Sequence, residues 1–215
     1  MAARPWYLSF TAVWNSASHG FGELGTKCDG FVEVRPFHHT PVRREYWHFT
    51  VLPLLKVTTL PDGVEAEEFA LELLAQVGAF ANPIRVGTGP LRVKAYELKV
   101  FDSGTCVQFN SDDGSLSALR DSLRELYRNV VNELIAENGG FCTELEPRNA
   151  KNSGNTSWGS IARSLTPDGN SVRWRILIDP PIEIVFDRIY LLVSDEFLSN
   201  PAAHDEGRRF SVALG

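Results

Sequence analysis

Apolar positions along the chain follow two periods, and these divide it into strands and helices. Trp6 to Val13 (WYLSFTAV) is dominated by aromatic and β-branched residues and predicts a strand. Asn15 to Gly30 is rich in Ser and Gly and predicts a loop. Phe31 to Val34 predicts a short strand, and Arg35 to Arg44 (RPFHHTPVRR), basic with two prolines, an irregular stretch. Trp47 to Leu55 (WHFTVLPLL) is strand-like again. Asp62 with Glu65 three positions later fits a capping box. Ala66, Phe69, Ala70, Leu73, Leu74, Val77 and Phe80 then share one helical face, and Asn82-Pro83 stops the helix. Arg92 to Phe101 alternates, with Val93, Ala95 and Val100 facing inward. A turn at Asp102-Ser103-Gly104 leads into a paired strand from Thr105 to Phe109.

A second helix starts at Ser115 as N-cap. Its apolar stripe is Leu116, Leu119, Leu123, Leu126, Tyr127, Val130, Leu134 and Ile135, and Gly139-Gly140 ends it. Glu144 to Ser157 is polar and predicts a long loop. Strands follow at Trp158–Leu165, Val172–Ile178 and Ile182–Val193, the last broken near Asp187, and the tail after Ser194 is expected to fray. Strands and helices do not alternate one for one, which disfavours a doubly wound parallel sheet. The expected fold class is α+β: two-lobed, pseudo-duplicated antiparallel sheets with two helices on the outer faces.

Composition narrows this further. A chain of 215 residues, 43% hydrophobic and 22% charged, is an ordinary globular protein, expected as a single two-lobed domain over 1–215. The balance of 21 basic and 27 acidic residues gives a net charge of −6, which excludes a general polyanion binder. A small nucleotide or a short RNA end needs only a local basic pocket and stays possible. No apolar run approaches the roughly 18 residues of a spanning helix, so no membrane partner is expected. The opening MAARPWYLSF lacks the pattern of a secretory signal. Cys28, Cys106 and Cys142 are odd in number and widely spaced, without a CxxC pair, as reduced cysteines of a cytoplasmic protein would be. A monomer is expected.

Candidate chemistry centres on Trp47-His48-Phe49-Thr50-Val51. On a strand, His48 and Thr50 point one way and Phe49 and Val51 the other. An imidazole that exchanges a proton and a hydroxyl that donates a hydrogen bond can grip one phosphate, although an ordinary solvated strand face also carries such a pair. Arg35, Arg43, Arg44, Lys94, Arg163, Arg173 and Arg175 are the basic residues near the motifs, and a guanidinium fork suits phosphate. There is no GxxxxGK[ST] loop, dinucleotide fingerprint or GxSxG elbow. Asp112-Asp113 reads as a turn into a helix cap. His38 and His39, adjacent on an extended segment, would point apart and make a poor joint metal site.

The order of elements together with HFTV at 48–51 and Trp158-Gly159-Ser160-Ile161-Ala162-Arg163 resembles the 2H phosphoesterase superfamily, over roughly residues 6 to 194. That group includes the bacterial 2′-5′ RNA ligase-like proteins and the 2′,3′-cyclic phosphodiesterases. Its second signature resembles histidine, any residue, Thr or Ser, an aliphatic residue, then commonly Ala-Arg. Ser160, Ile161, Ala162 and Arg163 match, but Trp158 stands where the second histidine would be.

The resemblance implies a metal-independent, cofactor-free phosphodiesterase acting on a 2′,3′-cyclic phosphate or a related 2′-5′ or cyclic nucleotide or RNA end. His48, Thr50 and Ser160 would be catalytic, with Trp158 and Arg163 binding substrate. In such enzymes one histidine acts as base toward water and the other protonates the departing ribose oxygen. An indole N–H does not titrate and cannot take either role. Three readings of Trp158 stay open. The groove binds its ligand without turnover, as a nucleotide- or RNA-end-binding module. Another group, with His38 or His39 as candidates, replaces the missing histidine. Or Trp158 is a packed strand aromatic. An aromatic facing a nucleotide would supply base stacking, worth about 1–3 kcal/mol.

Overall fold

Strands form on the β-branched and aromatic runs, and helices on the stripes of 3-and-4 spacing. The computed structural model describes residues 6–13, 17–33, 39–44, 47–57, 66–81, 89–102, 104–138, 140–144, 154–163, 172–195 and 209–215. In chain order the elements are β1 (Trp6–Val13), β2 (Ala17–His19), α1 (Phe21–Glu33), β3 (Thr40–Pro41), β4 (His48–Val57), α2 (Ala66–Ala81), β5 (Leu91–Phe101), β6 (Gly104–Asn110), α3 (Ser115–Asn138), β7 (Cys142–Glu144), β8 (Thr156–Arg163), β9 (Val172–Phe186), β10 (Arg188–Asp195) and β11 (Arg209–Ala213).

The strands join in the order β11-β10-β1-β4-β8-β6-β5-β9-β2, with β3 also on β8 and β7 also on β4. Every pairing among the described residues is antiparallel. The path has two wings, β11-β10-β1-β4 and β8-β6-β5-β9-β2, which meet where Phe49 of β4 pairs with Gly159 of β8. This is the α+β, antiparallel, two-winged arrangement that the element order predicts. All three helices cover one face of it. Leu24 and Cys28 of α1, Leu73 and Val77 of α2 and Leu116, Leu119 and Leu123 of α3 share a single core with Phe10, Phe49, Val107 and Phe109. Under the junction of the wings, Phe49 stacks on Phe109 at 5.0 Å and meets Phe186 edge-on at 5.6 Å. The opposite face carries the alternate side chains of each strand. No helix among the described residues is long and apolar enough to cross a membrane.

Several expectations are corrected. From Ala17 onward the Ser- and Gly-rich stretch is β2 and α1, not a loop. Four glycines mask the helical period carried by Phe21, Leu24 and Cys28, the last two fully buried. Burial pushes the Cys28 thiol up to about 12. Gly20, at φ +84°, makes the turn from β2 into α1, where a side chain would strike the Glu183 carbonyl. Phe31 to Glu33 finish α1 rather than starting a strand. Within the basic stretch, Thr40 and Pro41 pair with β8. A bulge between Ala95 and Glu97 makes Leu98 a core residue of the second half of β5, with half-buried Val100 on the same side.

The start of α3 is capped by its neighbours rather than by Ser115 itself. Asp113 Oδ1 accepts from the Ser115 amide at 2.9 Å, and Ser111 Oγ from the Leu116 amide at 3.2 Å. Leu126 is exposed, while Arg120 takes a buried place on the helix. β9 runs unbroken through Pro180-Pro181, and the turn at Asp187 separates it from β10 as expected. Of the tail, residues 209–215 do not fray, because β11 pairs with β10 from Arg188↔Ala213 to Leu192↔Arg209, and 196–208 lie outside the described residues. The capping box at 62–65, the stop at 82–83 and most of the 144–157 loop lie outside the described residues.

The ring of Phe210 on β11 lies so close over Gly78 of α2 that a Cβ there would overlap it. Gly78→Ala gains roughly 1 kcal/mol of helix propensity, but overpacking costs about 1–3 kcal/mol. A lowered urea midpoint is expected. A raised one would show that β11 is not clamped onto α2.

Candidate functional site

β4 carries His48 and Thr50 on the face turned away from the helices, because Phe49 and Val51 are in the core. β8 carries Trp158 and Ser160 on that same face, since Ile161 is fully buried on the other. The pair Phe49↔Gly159 sets the register between them. Carried one residue either way, it puts His48 opposite Ser160 and Thr50 opposite Trp158. Directly opposed residues of an antiparallel pair have Cβ atoms about 4.5–5.5 Å apart. Segments more than a hundred positions apart thus converge on one patch, and the two motifs relate to each other by a local twofold through Phe49 and Gly159. His48 is buried, whereas Thr50, Trp158 and Ser160 are half-buried.

The patch extends along two rows of the sheet. One runs from Val13 through His48, Ser160 and Cys106 to Lys99 and Arg175. The other runs from Tyr190 through Thr11, Thr50, Trp158 and Gln108 to Glu97. Beyond Trp158 the side chains interlock. Lys99 Nζ lies 4.2 Å from the centroid of the Trp158 ring, donates to Gln108 Oε1 at 2.9 Å and pairs with Glu97 Oε1 at 2.7 Å. The Phe101 ring meets the same indole edge-on at 6.2 Å. Sequence reasoning missed Lys99 and Glu97, because the bulge in β5 reverses which side chains of that strand face the patch.

The remaining candidates divide. Arg163 ends β8, paired with Gly104 and Thr40, three residues beyond Ser160. His38, and the side chains of Arg163 and Arg173, lie outside the described residues. His39 is buried at the β5–β6 turn, with Nδ1 3.3 Å from Thr105 Oγ1 and Nε2 3.3 Å from the Asp102 carbonyl. Thr105 alternates with Cys106, so that histidine sits on the other side of the ladder from Ser160. The structure therefore does not bring His39 to His48.

Beneath the patch, Arg120 is an anchor that sequence reasoning placed in no role. Its Nε–H donates to the Val51 carbonyl at 2.7 Å, and Nη1 donates to the carbonyls of Gly154 at 2.6 Å and Thr156 at 3.0 Å. One guanidinium thus ties β4 to the start of β8. Burial lowers its proton affinity to about 10. Ser157 Oγ adds a hydrogen bond to the Thr50 carbonyl at 2.9 Å. The only signal for Arg120 in the sequence is a charge flanked by stripe positions Leu119 and Leu123.

No family model matches the chain, and no curated protein sequence matches it. Among solved structures, TT0787 of Thermus thermophilus is similar over 99% of both chains at 16% identity, with a TM-score of 0.54. A structure described as a phosphoesterase covers 100% of this chain and 97% of its own at 14% identity, with a TM-score of 0.41. E. coli LigT complexed with NADP+ covers 100% of this chain and 96% of its own at 14% identity, also with a TM-score of 0.41. The chain shares the fold of TT0787.

Proposed function

We propose that the protein is a phosphodiesterase that hydrolyses a 2′,3′-cyclic phosphate, or a related 2′-5′ or cyclic linkage, on a nucleotide or RNA end. The observation that supports this is the convergence of His48 and Thr50 with Ser160 and Trp158 around the single pair Phe49↔Gly159. In this reading neutral His48 takes a proton from water as its oxygen attacks phosphorus, and the bond from phosphorus to one ribose oxygen breaks with its electron pair on that oxygen, which takes up a proton and leaves as a hydroxyl. Imidazole suits the role because both of its forms exist near neutrality. The hydroxyls of Thr50 and Ser160 donate to non-bridging oxygens, Arg163 adds positive charge, and Trp158 stacks against the base. The reading is of a monomeric, cytoplasmic enzyme whose chemistry uses no metal and no cofactor. Its test is turnover of a panel of cyclic nucleotides by the wild-type protein, and equal rates for wild type and His48→Ala would remove His48 from the mechanism.

One observation favours a second reading, a nucleotide-binding module without turnover. The indole of Trp158 takes the place of a titratable ring and is engaged by Lys99 and Phe101. Trp158→His separates the two. In an enzyme limited by one missing acid–base group it raises the rate about tenfold or more, since a full contribution is about 10²–10⁴-fold. Calorimetric binding of cyclic nucleotide with no product from either protein favours the module.

A further inference from the structure

Among the described residues, the half of the patch that faces Thr50 carries no imidazole, yet a cation reaches it from two strands away. We infer that the ammonium of Lys99 is the second functional group of the site and protonates the departing ribose oxygen. The inference rests on the phosphodiesterase reading above.

Three observations carry it. First, Lys99 leaves β5 but its Nζ lies over the Trp158 ring, 4.2 Å from the centroid, so the charge is held beside the position opposite Thr50. Second, the ammonium is fixed rather than waving in solvent. Glu97 holds it at 2.7 Å and Gln108 at 2.9 Å, and the Lys99 and Glu97 side chains are 12% and 14% exposed. Third, stability does not account for the arrangement, because a buried ion pair roughly offsets its own desolvation cost. An ammonium has three protons to donate, so it can keep Glu97 and Gln108 and still offer one. Indole cannot supply that proton by titration, and His39 is held at the hairpin turn.

The step balances. Water loses a proton to His48 as its oxygen bonds to phosphorus. The bond from phosphorus to the ribose oxygen breaks with its electron pair on that oxygen, which takes a proton from Lys99. Bulk water then carries the proton from His48 back to the Lys99 amine. The ribose alkoxide is a stronger base than an amine, so the transfer to it is downhill.

A leaving group that needs no proton isolates the role. Lys99→Met is expected to lower kcat on 2′,3′-cyclic AMP by about 10²-fold, the low end for one acid–base group. On thymidine 3′-(4-nitrophenyl phosphate), which expels a stable phenolate, the same variant is expected to stay within about threefold of wild type, because no proton transfer is lost. Lys99→Arg keeps the cation but does not give up its proton, so it should hold KM on the cyclic nucleotide and lose kcat like Lys99→Met. It also carries the test if Lys99→Met fails to fold. Equal losses on both substrates would reduce Lys99 to a structural or charge role and overturn the inference. A wild-type protein that turns over cyclic nucleotide while both Lys99 variants match it overturns the inference alone. A wild-type protein that turns over neither substrate overturns the phosphodiesterase reading and this inference together.

Discussion

His48→Ala is expected to lower kcat on 2′,3′-cyclic nucleotides by about 10²–10⁴-fold, the usual size of one acid–base contribution. The change removes the titratable ring that faces Ser160 across the strand pair and leaves the core side of β4 as it is, because Phe49 and Val51 supply that side. The loss should therefore be in rate, with the far-ultraviolet circular dichroism unchanged. His39→Ala is the matched control. That imidazole is also buried, but it bonds Thr105 and the Asp102 carbonyl at the β5–β6 turn. Its removal should lower the thermal midpoint and leave kcat at temperatures below that midpoint close to wild type. Steady-state kinetics on the two variants check the pair, and the reverse pattern would move the chemistry to the hairpin.

The other large effect is expected at Arg120. Arg120→Met keeps an apolar stem of similar length and removes the donors to the carbonyls of Val51, Gly154 and Thr156. An unsatisfied buried polar group costs about 1–3 kcal/mol, and partial rehydration limits the sum over three, so a loss of about 3–5 kcal/mol is expected. The consequence goes beyond stability. Val51 follows Thr50, and Thr156 precedes Trp158 by two residues, so freeing these carbonyls loosens the strands that carry both motifs. Turnover should fall even where the protein stays folded. Arg120→Lys should recover only part of either loss, because a point charge does not span three carbonyls on β4, on β8 and in the turn before β8. Urea unfolding measures the first effect, and a change under about 1 kcal/mol would show that packing, not the guanidinium, joins β4 to β8.

Much of the fold is legible in the sequence because the burial periods are clean. α3 is read from Leu116, Leu119, Leu123 and Leu134, and all four are buried. The strands at Trp6 and Trp47 are read from β-branched and aromatic runs and become β1 and β4. α1 is not legible, because glycines interrupt its short apolar stripe and composition outweighs spacing. β11 is not legible either. RFSVA is too short to signal a strand, and its partner β10 supplies the pairing. The same limit applies at the patch. The alternation at His48 and Thr50 is local, so the shared face is readable from the sequence. The approach of Lys99 to Trp158 depends on a bulge between Ala95 and Glu97 and on a strand order with β6 between β5 and β8. Neither follows from spacing alone. Arg120 escapes for a related reason. A charge between apolar stripe positions is ordinarily solvated, and only the carbonyls of two distant strands make its burial tolerable.

The most direct measurement is phosphorus NMR of 2′,3′-cyclic AMP incubated with the wild-type protein. The expected result is loss of the cyclic phosphodiester resonance and growth of one phosphomonoester resonance, whose position also tells which ribose oxygen leaves. A cyclic resonance that shifts or broadens as protein is added but gives no monoester over a day would contradict hydrolysis and leave a binding groove.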